Sequence, residues 1–456
     1  MPSLLDLLYG GLLTAWIPLA VYESCVKGKS RGGWSQKIRG KVPARQGTRR
    51  CIWLHGVSVG EILALRTLVS SIRKRFPEWD VVISSTTTTG MEVAQKSFPE
   101  LNHIYFPFDF TWSVKRALSG IRPDVVVLAE QELWPQFIRE AERRNVPVAL
   151  INGRMSPRSF RQYRRFRWLT RKILRSLALI AVQNKDYAER FVELGASDTQ
   201  MLVTGSVKYD AVETDRKNKC TETLRKCLNI QSDETVFIAG STQDPEEQFC
   251  IDTYLKLRER FSELRLVIVP RHPERFEEVA SMVHRMKLPL LRRSEMTSRN
   301  QWSPSEASGA KQTPVILIDT LGELASVWGL ADIAFVGGSL SGRGGQNMIE
   351  PAAYGAAVTF GPDTWNFRET VESLTTRDAV RVVKDKQELQ ETVAYFLDNP
   401  QEIVRYGKAA QEFVTSQQGG TTRTVNGLVP FFEDEPNRRH SPHFRTTRNA
   451  GSLASQ

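Results

Sequence analysis

Residues 51–61 read CIWLHGVSVGE. Four apolar residues without polar alternation run into a turn carrying Gly56 and Gly60, and an amphipathic stretch of helical period, Ile62–Phe76, follows. A strand apolar on both faces and joined to a helix belongs to a parallel sheet covered on both sides. The same unit recurs along the chain. In the first half, strands are expected at Cys51–Leu54, Val81–Ser84, His103–Phe106, Val125–Leu128, Val148–Ile151, Leu179–Ala181 and Leu202–Thr204. In the second half they are expected at Val236–Ala239, Leu266–Val269, Val315–Ile318, Ile333–Val336, Val358–Phe360 and Val380–Val383. The fold class is therefore α/β, with two doubly wound halves that meet near the polar run Asp210–Lys219. Ligands of such sheets bind beyond the strand C-termini, so those loops are where chemistry is sought.

The chain has 456 residues, 41% hydrophobic and 25% charged, which fits two large domains and excludes wholesale disorder. Its five cysteines (25, 51, 220, 227 and 250) form no C-x-x-C pair, which points to a reduced compartment without a disulfide framework or structural zinc. The balance of 62 basic and 51 acidic residues, +11, calls for an anionic partner.

Leu4–Tyr22 holds one charge, Asp6, among nineteen positions, and as a helix it would span about 28 Å. Basic residues follow it (Lys27, Lys29, Arg31, Lys37, Arg39, Lys41), so the bulk of the chain is expected on the cytoplasmic side. Residues 1–25 are read as a membrane anchor, spanning the bilayer or lying in its interface. A first α/β domain is expected over 26–212, a second over 213–432, and a disordered polar tail over 433–456. Arg292–Pro314 is read as a surface loop.

Three loops of the first half stand out. In His55–Glu61, Glu61 falls at a helix start, where it is either a cap favoured by the helix dipole or a general base in the crevice. After Val125–Leu128 come Glu130 and Glu132, two carboxylates that point the same way in an extended loop; solvated loop acids are the ordinary explanation. From Arg154 to Arg175 there are nine basic residues and no acidic one, interleaved with Phe160, Tyr163, Phe166 and Trp168. Nucleic acid would suit such a run, as would an anionic membrane surface or lipid phosphates. The apolar N-terminus favours the lipid reading.

The second half places Gly240–Thr242, Pro270–Arg275, Asp319–Leu324 and Gly337–Asn347 directly after strands, and Glu350-Pro351 opens a helix. Gly-rich strand-to-helix turns present backbone N–H groups to a phosphate, so a nucleotide site is expected here. Neither the Walker A pattern nor G-x-G-x-x-G after the first strand is present, and no Asp-x-Asp motif follows Leu128. The six histidines show no metal-ligand spacing.

From the N-terminus to about Thr424 the motifs, in order, resemble the 3-deoxy-D-manno-octulosonic acid (Kdo) transferases of lipid A assembly. They are HGVSVGE, AEQELWP, NGRMS, AVQN, TGSVKYD, AGSTQ, VPRHPERF, DTLGEL, ADIAFVGGSL, GGQNMIEPAA and GPDTWNF. The resemblance implies the glycosyltransferase-B architecture of two Rossmann-like domains. It implies transfer of Kdo from CMP-Kdo to lipid IVA, a tetraacylated disaccharide bisphosphate, at the cytoplasmic face of the inner membrane, with inversion and without a metal or other cofactor. It assigns Glu61 as general base and Glu130 and Lys208 as transition-state stabilisers. Pro270, Arg271, Leu321, Gly322, Glu323, Asn347, Met348, Ile349 and Glu350 match the CMP-binding segments. Arg154, Arg158, Arg161, Arg164 and Arg165 are expected to face the acceptor phosphates or the membrane. The chain departs from many relatives at Gln243 and Gln346, where they have His, and at Ser206, where they have Asn. Competing expectations are a transferase using another CMP-activated acid sugar, a catalytically lapsed lipid-binding protein, and an RNA-binding protein.

Overall fold

The computed structural model describes residues 33–296 and 313–433. The anchor assigned to 1–25 and the tail beyond Glu433 lie outside the described residues, as does most of the loop expected at Arg292–Pro314. The described residues divide into two compact units, one built from 33–207 together with 419–433, the other from Lys208–Gln418.

In the first unit β1 (Cys51–His55), β2 (Asp80–Ser85), β3 (Asn102–Tyr105), β4 (Val125–Ala129), β5 (Val148–Gly153), β6 (Leu179–Val182) and β7 (Met201–Val203) form one sheet in the order β3-β2-β1-β4-β5-β6-β7. In the second, β8 (Thr235–Thr242), β9 (Leu264–Pro270), β10 (Leu290–Arg292), β11 (Val315–Leu317), β12 (Ile333–Val336), β13 (Ala357–Phe360) and β14 (Val380–Val382) are ordered β10-β11-β9-β8-β12-β13-β14. The pairings are parallel in both sheets.

Two-sided burial explains the uninterrupted apolar strands. Along β1, Cys51 and Trp53 join one core layer while Ile52 and Leu54 join the opposite one. Val236 and Ile238 divide from Phe237 and Ala239 in the same way along β8. The helix Val59–Arg75 buries Ile62, Leu65, Leu68, Val69 and Ile72, the spacing of one helical face. Strand order reverses between β1 and β4 and between β8 and β12. Those two points open the crevices in which doubly wound sheets bind ligands.

The unit boundaries differ from the sequence expectation at both ends: the first falls between Val207 and Lys208 instead of after 212, and the second between Gln418 and Gly419. The helix Gly420–Glu433, read with the second half, packs on the first unit. Val425, Leu428 and Phe432 enter the core layer of Ile52 and Leu54. Phe432 stacks on Phe76 at 4.4 Å and meets Trp79 edge-on at 4.6 Å, and Arg50 Nη1 donates to its carbonyl at 2.8 Å. The apolar face of this helix is complementary to a layer that β1 and Val59–Arg75 alone leave uncovered, and sequence order carries no information about that. Phe432→Ala is expected to destabilise the first unit by about 3 kcal/mol. Urea unfolding should show that unit's transition moving to lower denaturant while the second unit's stays; coincident shifts of both would contradict this packing.

Candidate active site

In the first unit the switch point between β1 and β4 collects three carboxylates. β1 ends at His55, and Ser58 caps the helix that follows. Its Oγ accepts the Glu61 N–H at 3.3 Å, while its own N–H and hydroxyl donate to Glu61 Oε1 at 3.3 and 2.8 Å. The Val57 N–H donates to Oε2 at 2.9 Å. Glu61 is thus a reciprocal cap. That finding does not displace the general-base reading, because the same bonds fix the carboxylate at the strand end while leaving it partly open to solvent. Gly56 lets the turn pack closely: a Cβ there would lie 3.2 Å from Glu61 Cβ. Burial foremost, and the charge of Glu130 as a smaller cause, push the Glu61 carboxyl above the usual range, against the pull of its hydrogen bonds.

Glu130 follows β4 directly. Its backbone is left-handed, φ 58°, and its N–H is held by the Ile151 carbonyl at 2.9 Å. Arg154 Nη1 approaches its carboxylate at 3.7 Å. Glu132, two residues on, accepts from Trp134 Nε1 at 2.8 Å. Burial, then the Glu61 charge, raise its carboxyl to about 7. Beneath them His55 is fully buried, stacked on Phe106 at 3.8 Å and close to the Ser84 hydroxyl at 3.0 Å. Burial lowers its pKa to about 3, so it stays neutral and props the loop.

The basic run folds as two short helices, Pro157–Arg165 and Arg167–Arg175, and the first buries none of its residues. Arg158, Arg161, Arg164 and Arg165 are exposed and Arg154 is half-buried. Phe166 and Trp168 stand 61% and 74% exposed beside them. The run is not wholly without counter-charge: Arg154 meets Glu130, and Arg164 lies 3.9 Å from Glu193.

In the second unit the expected donor loops gather at the ends of β8, β9, β11 and β12. Pro270 closes β9, and the Arg271 N–H bonds the Thr242 carbonyl at 2.9 Å, tying two loops together. The Arg271 side chain is exposed, and its charge bears on Glu350, whose carboxyl burial pushes up and Asn347 and Arg271 pull down. Asn347 Nδ2 donates to Glu350 Oε1 at 3.0 Å. Met348 and Ile349 are buried and pack in the core beneath this loop. Leu321 is 74% exposed, and Gly322 has φ 87° with open space where a side chain would start. The Glu323 carboxylate is engaged by Arg293 at 2.8 Å and by the Thr320 hydroxyl. Gln243 and Gln346 converge on Gly338: both Nε2 atoms lie 3.2 Å from where its Cβ would be. Lys208 lies on the turn Val207–Tyr209, where the chain passes from the first unit to the second.

A family model described as 3-deoxy-D-manno-octulosonic-acid transferase (kdotransferase) matches residues 30–211. The 3-deoxy-D-manno-octulosonic acid transferase of Haemophilus influenzae is 32% identical over 384 residues, covering 84% of this chain and 87% of that protein. The chain belongs to the Kdo transferase family. Its members are glycosyltransferases. The enzyme of the same description from Chlamydophila psittaci is 29% identical over 411 residues, 90% of this chain and 91% of its own length. UDP-GlcNAc 2-epimerase from Neisseria meningitidis superposes with a TM-score of 0.56 at 13% identity, covering 84% of this chain and all of that one, and shows the two-sheet Rossmann-like fold alone.

Sequence reasoning set Glu132 beside Glu130 but chose only Glu130 for the site. The signal was its place two residues after Glu130 at a strand end; what the sequence lacks is the Trp134 bond and the burial that set it apart. Its ionisation is linked to stability with a definite sign. A carboxyl raised to about 7 in the folded chain and ordinary in the unfolded one binds more protons when folded, so stability falls as pH rises from about 4.5 to 7. Glu132→Gln keeps an acceptor for Trp134 and removes that loss. Melting of the first unit should match wild type at pH 4.5 and exceed it at pH 8; parallel curves would refute the assignment.

Proposed function

We propose that this chain moves Kdo from CMP-Kdo to a lipid IVA-like acceptor at the cytoplasmic face of the inner membrane, inverting the anomeric centre and needing no divalent metal. The observation that carries the reading is Glu61, a carboxyl raised by burial, hydrogen-bonded into one position at the first sheet's switch point. An acceptor hydroxyl attacks the anomeric carbon, the bond from that carbon to the CMP phosphate oxygen breaks, and Glu61 takes the hydroxyl proton. CMP leaves with the electron pair of the broken bond. Because attack comes from the face opposite the leaving group, a single displacement inverts the centre. A raised carboxyl is a stronger base than an ordinary one, which suits proton removal near neutral pH.

Glu130, beside Glu61, offsets positive charge as the sugar becomes oxocarbenium-like. Lys208 is assigned the negative charge on the leaving phosphate or the Kdo carboxylate. On the donor side, Glu350 with Asn347 is assigned the ribose hydroxyls, and the backbone of Leu321–Glu323 the nucleotide, with Pro270 shaping the turn that carries Arg271. Preorganised donors of this kind can stabilise a single leaving phosphate without an ion. The exposed arginines 158, 161, 164 and 165, with Arg154, suit the acceptor's two phosphates and an anionic surface. Phe166 and Trp168 add apolar side chains that favour an interface.

Glu61→Gln is expected to lower kcat for acceptor-dependent CMP release by about a hundredfold or more, with CMP affinity unchanged and with chelator without effect on wild type. Mass spectrometry of the lipid identifies and counts the sugar added. Release independent of acceptor, or retained in the variant, would sink the assignment. For the surface, Arg161→Ala and Arg164→Ala together with Trp168→Ala should weaken retention on phosphatidylglycerol vesicles by about tenfold and leave the melting of the first unit unchanged. Equal retention would remove the membrane role.

A further inference from the structure

The glycine-rich turn after β12 would ordinarily offer its backbone N–H groups to a phosphate. Here they are already taken. The N–H groups of Gly338, Ser339 and Leu340 donate to the Glu246 carboxylate at 2.7, 2.9 and 2.8 Å. The Gln243 N–H, on the loop after β8, donates to the same carboxylate at 2.9 Å. Glu246 has no exposed surface. Each oxygen accepts two bonds, so every one of its lone-pair directions is used.

The neighbouring residue makes a similar tie. Glu247, also fully buried, receives Arg275 through Nε at 3.1 Å and Nη2 at 3.1 Å, a bidentate pair that anchors the Pro270–Arg275 turn. Ser339 extends the network: its hydroxyl accepts the Gly361 N–H at 2.8 Å and donates to the Val336 carbonyl at 2.6 Å. The approach is close enough to fix a glycine. A Cβ at Gly337 would stand 2.5 Å from Thr242 Cα and 2.8 Å from Glu246 Oε2.

We infer that Glu246 is a positioning residue of the donor site, an internal anion that fills the glycine-rich nest so that Gln243 and Gln346, and not the nest, face the donor's phosphate. The inference rests on the reading that these loops hold a CMP-sugar. Its chemical logic is steric and electrostatic together. With the nest filled, a second anion cannot enter it, and the amide groups of Gln243 and Gln346 beside Gly338 become the nearest neutral donors at the switch point between β8 and β12. An amide in place of the Glu246 carboxylate would turn an NH2 group toward N–H groups that have nothing else to bond, and the turn would shift.

The test uses the full chain and CMP itself as the probe. Calorimetric titration of Glu246→Gln should show the CMP Kd raised by about tenfold or more. The KM for CMP-Kdo should rise in step, with the acceptor KM and the first unit's melting unchanged, and the amides of 338–340 should exchange faster with deuterium. A wild-type Kd in Glu246→Gln, even with a lowered melting temperature of the second unit, would reduce Glu246 to a structural residue and overturn the inference alone. Failure of the wild-type chain to bind CMP would overturn the donor reading and this inference with it. Should Glu246→Gln not fold, Glu246→Asp carries the comparison. It keeps the charge and withdraws it by one methylene, so a smaller rise in Kd is expected and a wild-type Kd counts against the role.

Discussion

Burial of the central strands on both faces governs this molecule. Cys51–His55 and Thr235–Thr242 are covered above and below by core layers, so they have no solvent face on which to carry polar groups. Chemistry is thereby confined to strand ends, and parallel order brings all the C-terminal ends of a sheet to one edge. At β1/β4 and β8/β12 the connections diverge and leave that edge uncovered. Glu61, Glu130 and Glu132 occupy the first of these positions, Gln243 and the Gly337–Gln346 turn the second.

The two units use carboxylates in opposite ways. Glu246 is saturated by four backbone N–H groups in a place no water reaches, and so serves as a fixed part of the scaffold. Glu61 is hydrogen-bonded by its own loop yet remains partly exposed, beside two further carboxylates. Holding the side chain in a single place while withholding full neutralisation is what a base requires: geometry is paid for by the capping bonds, and basicity comes from incomplete solvation. The cap seen here and the proposed base are compatible in one arrangement, which is why spacing alone could not choose between them.

What the sequence made legible follows the same physics. The thirteen expected strands all appear, because two-sided burial writes itself as apolar runs between helical stretches. β10, Leu290–Arg292, escaped: it has three residues, sits at a sheet edge, starts directly after Pro289 and ends in an arginine that bonds Asp319, so its apolar run is short and interrupted. The crossing of Gly420–Glu433 to the first unit escaped as well, since an amphipathic helix does not name the layer it will cover. At the sites, residue types and loop positions were legible, but saturation was not. The glycine-rich turn read as an open anion nest, and only the structure shows Glu246 inside it. Glu132 was visible as a loop acid and became distinctive only through Trp134 and burial.

Gln243 and Gln346, where the resemblance leads one to expect His, gain meaning from this division. Both amides meet at Gly338, on the turn that Glu246 holds, and neither can gain or lose a proton in the neutral range. Whatever they donate to a phosphate is constant with pH, whereas a histidine in either place would add a charge as pH fell. Burial raises carboxyls in both units, Glu61 and Glu132 in the first, Glu246 and Glu350 in the second. On the proposed reading, any pH dependence of turnover is expected from carboxyls such as Glu61 and not from the two amides, which contribute geometry alone.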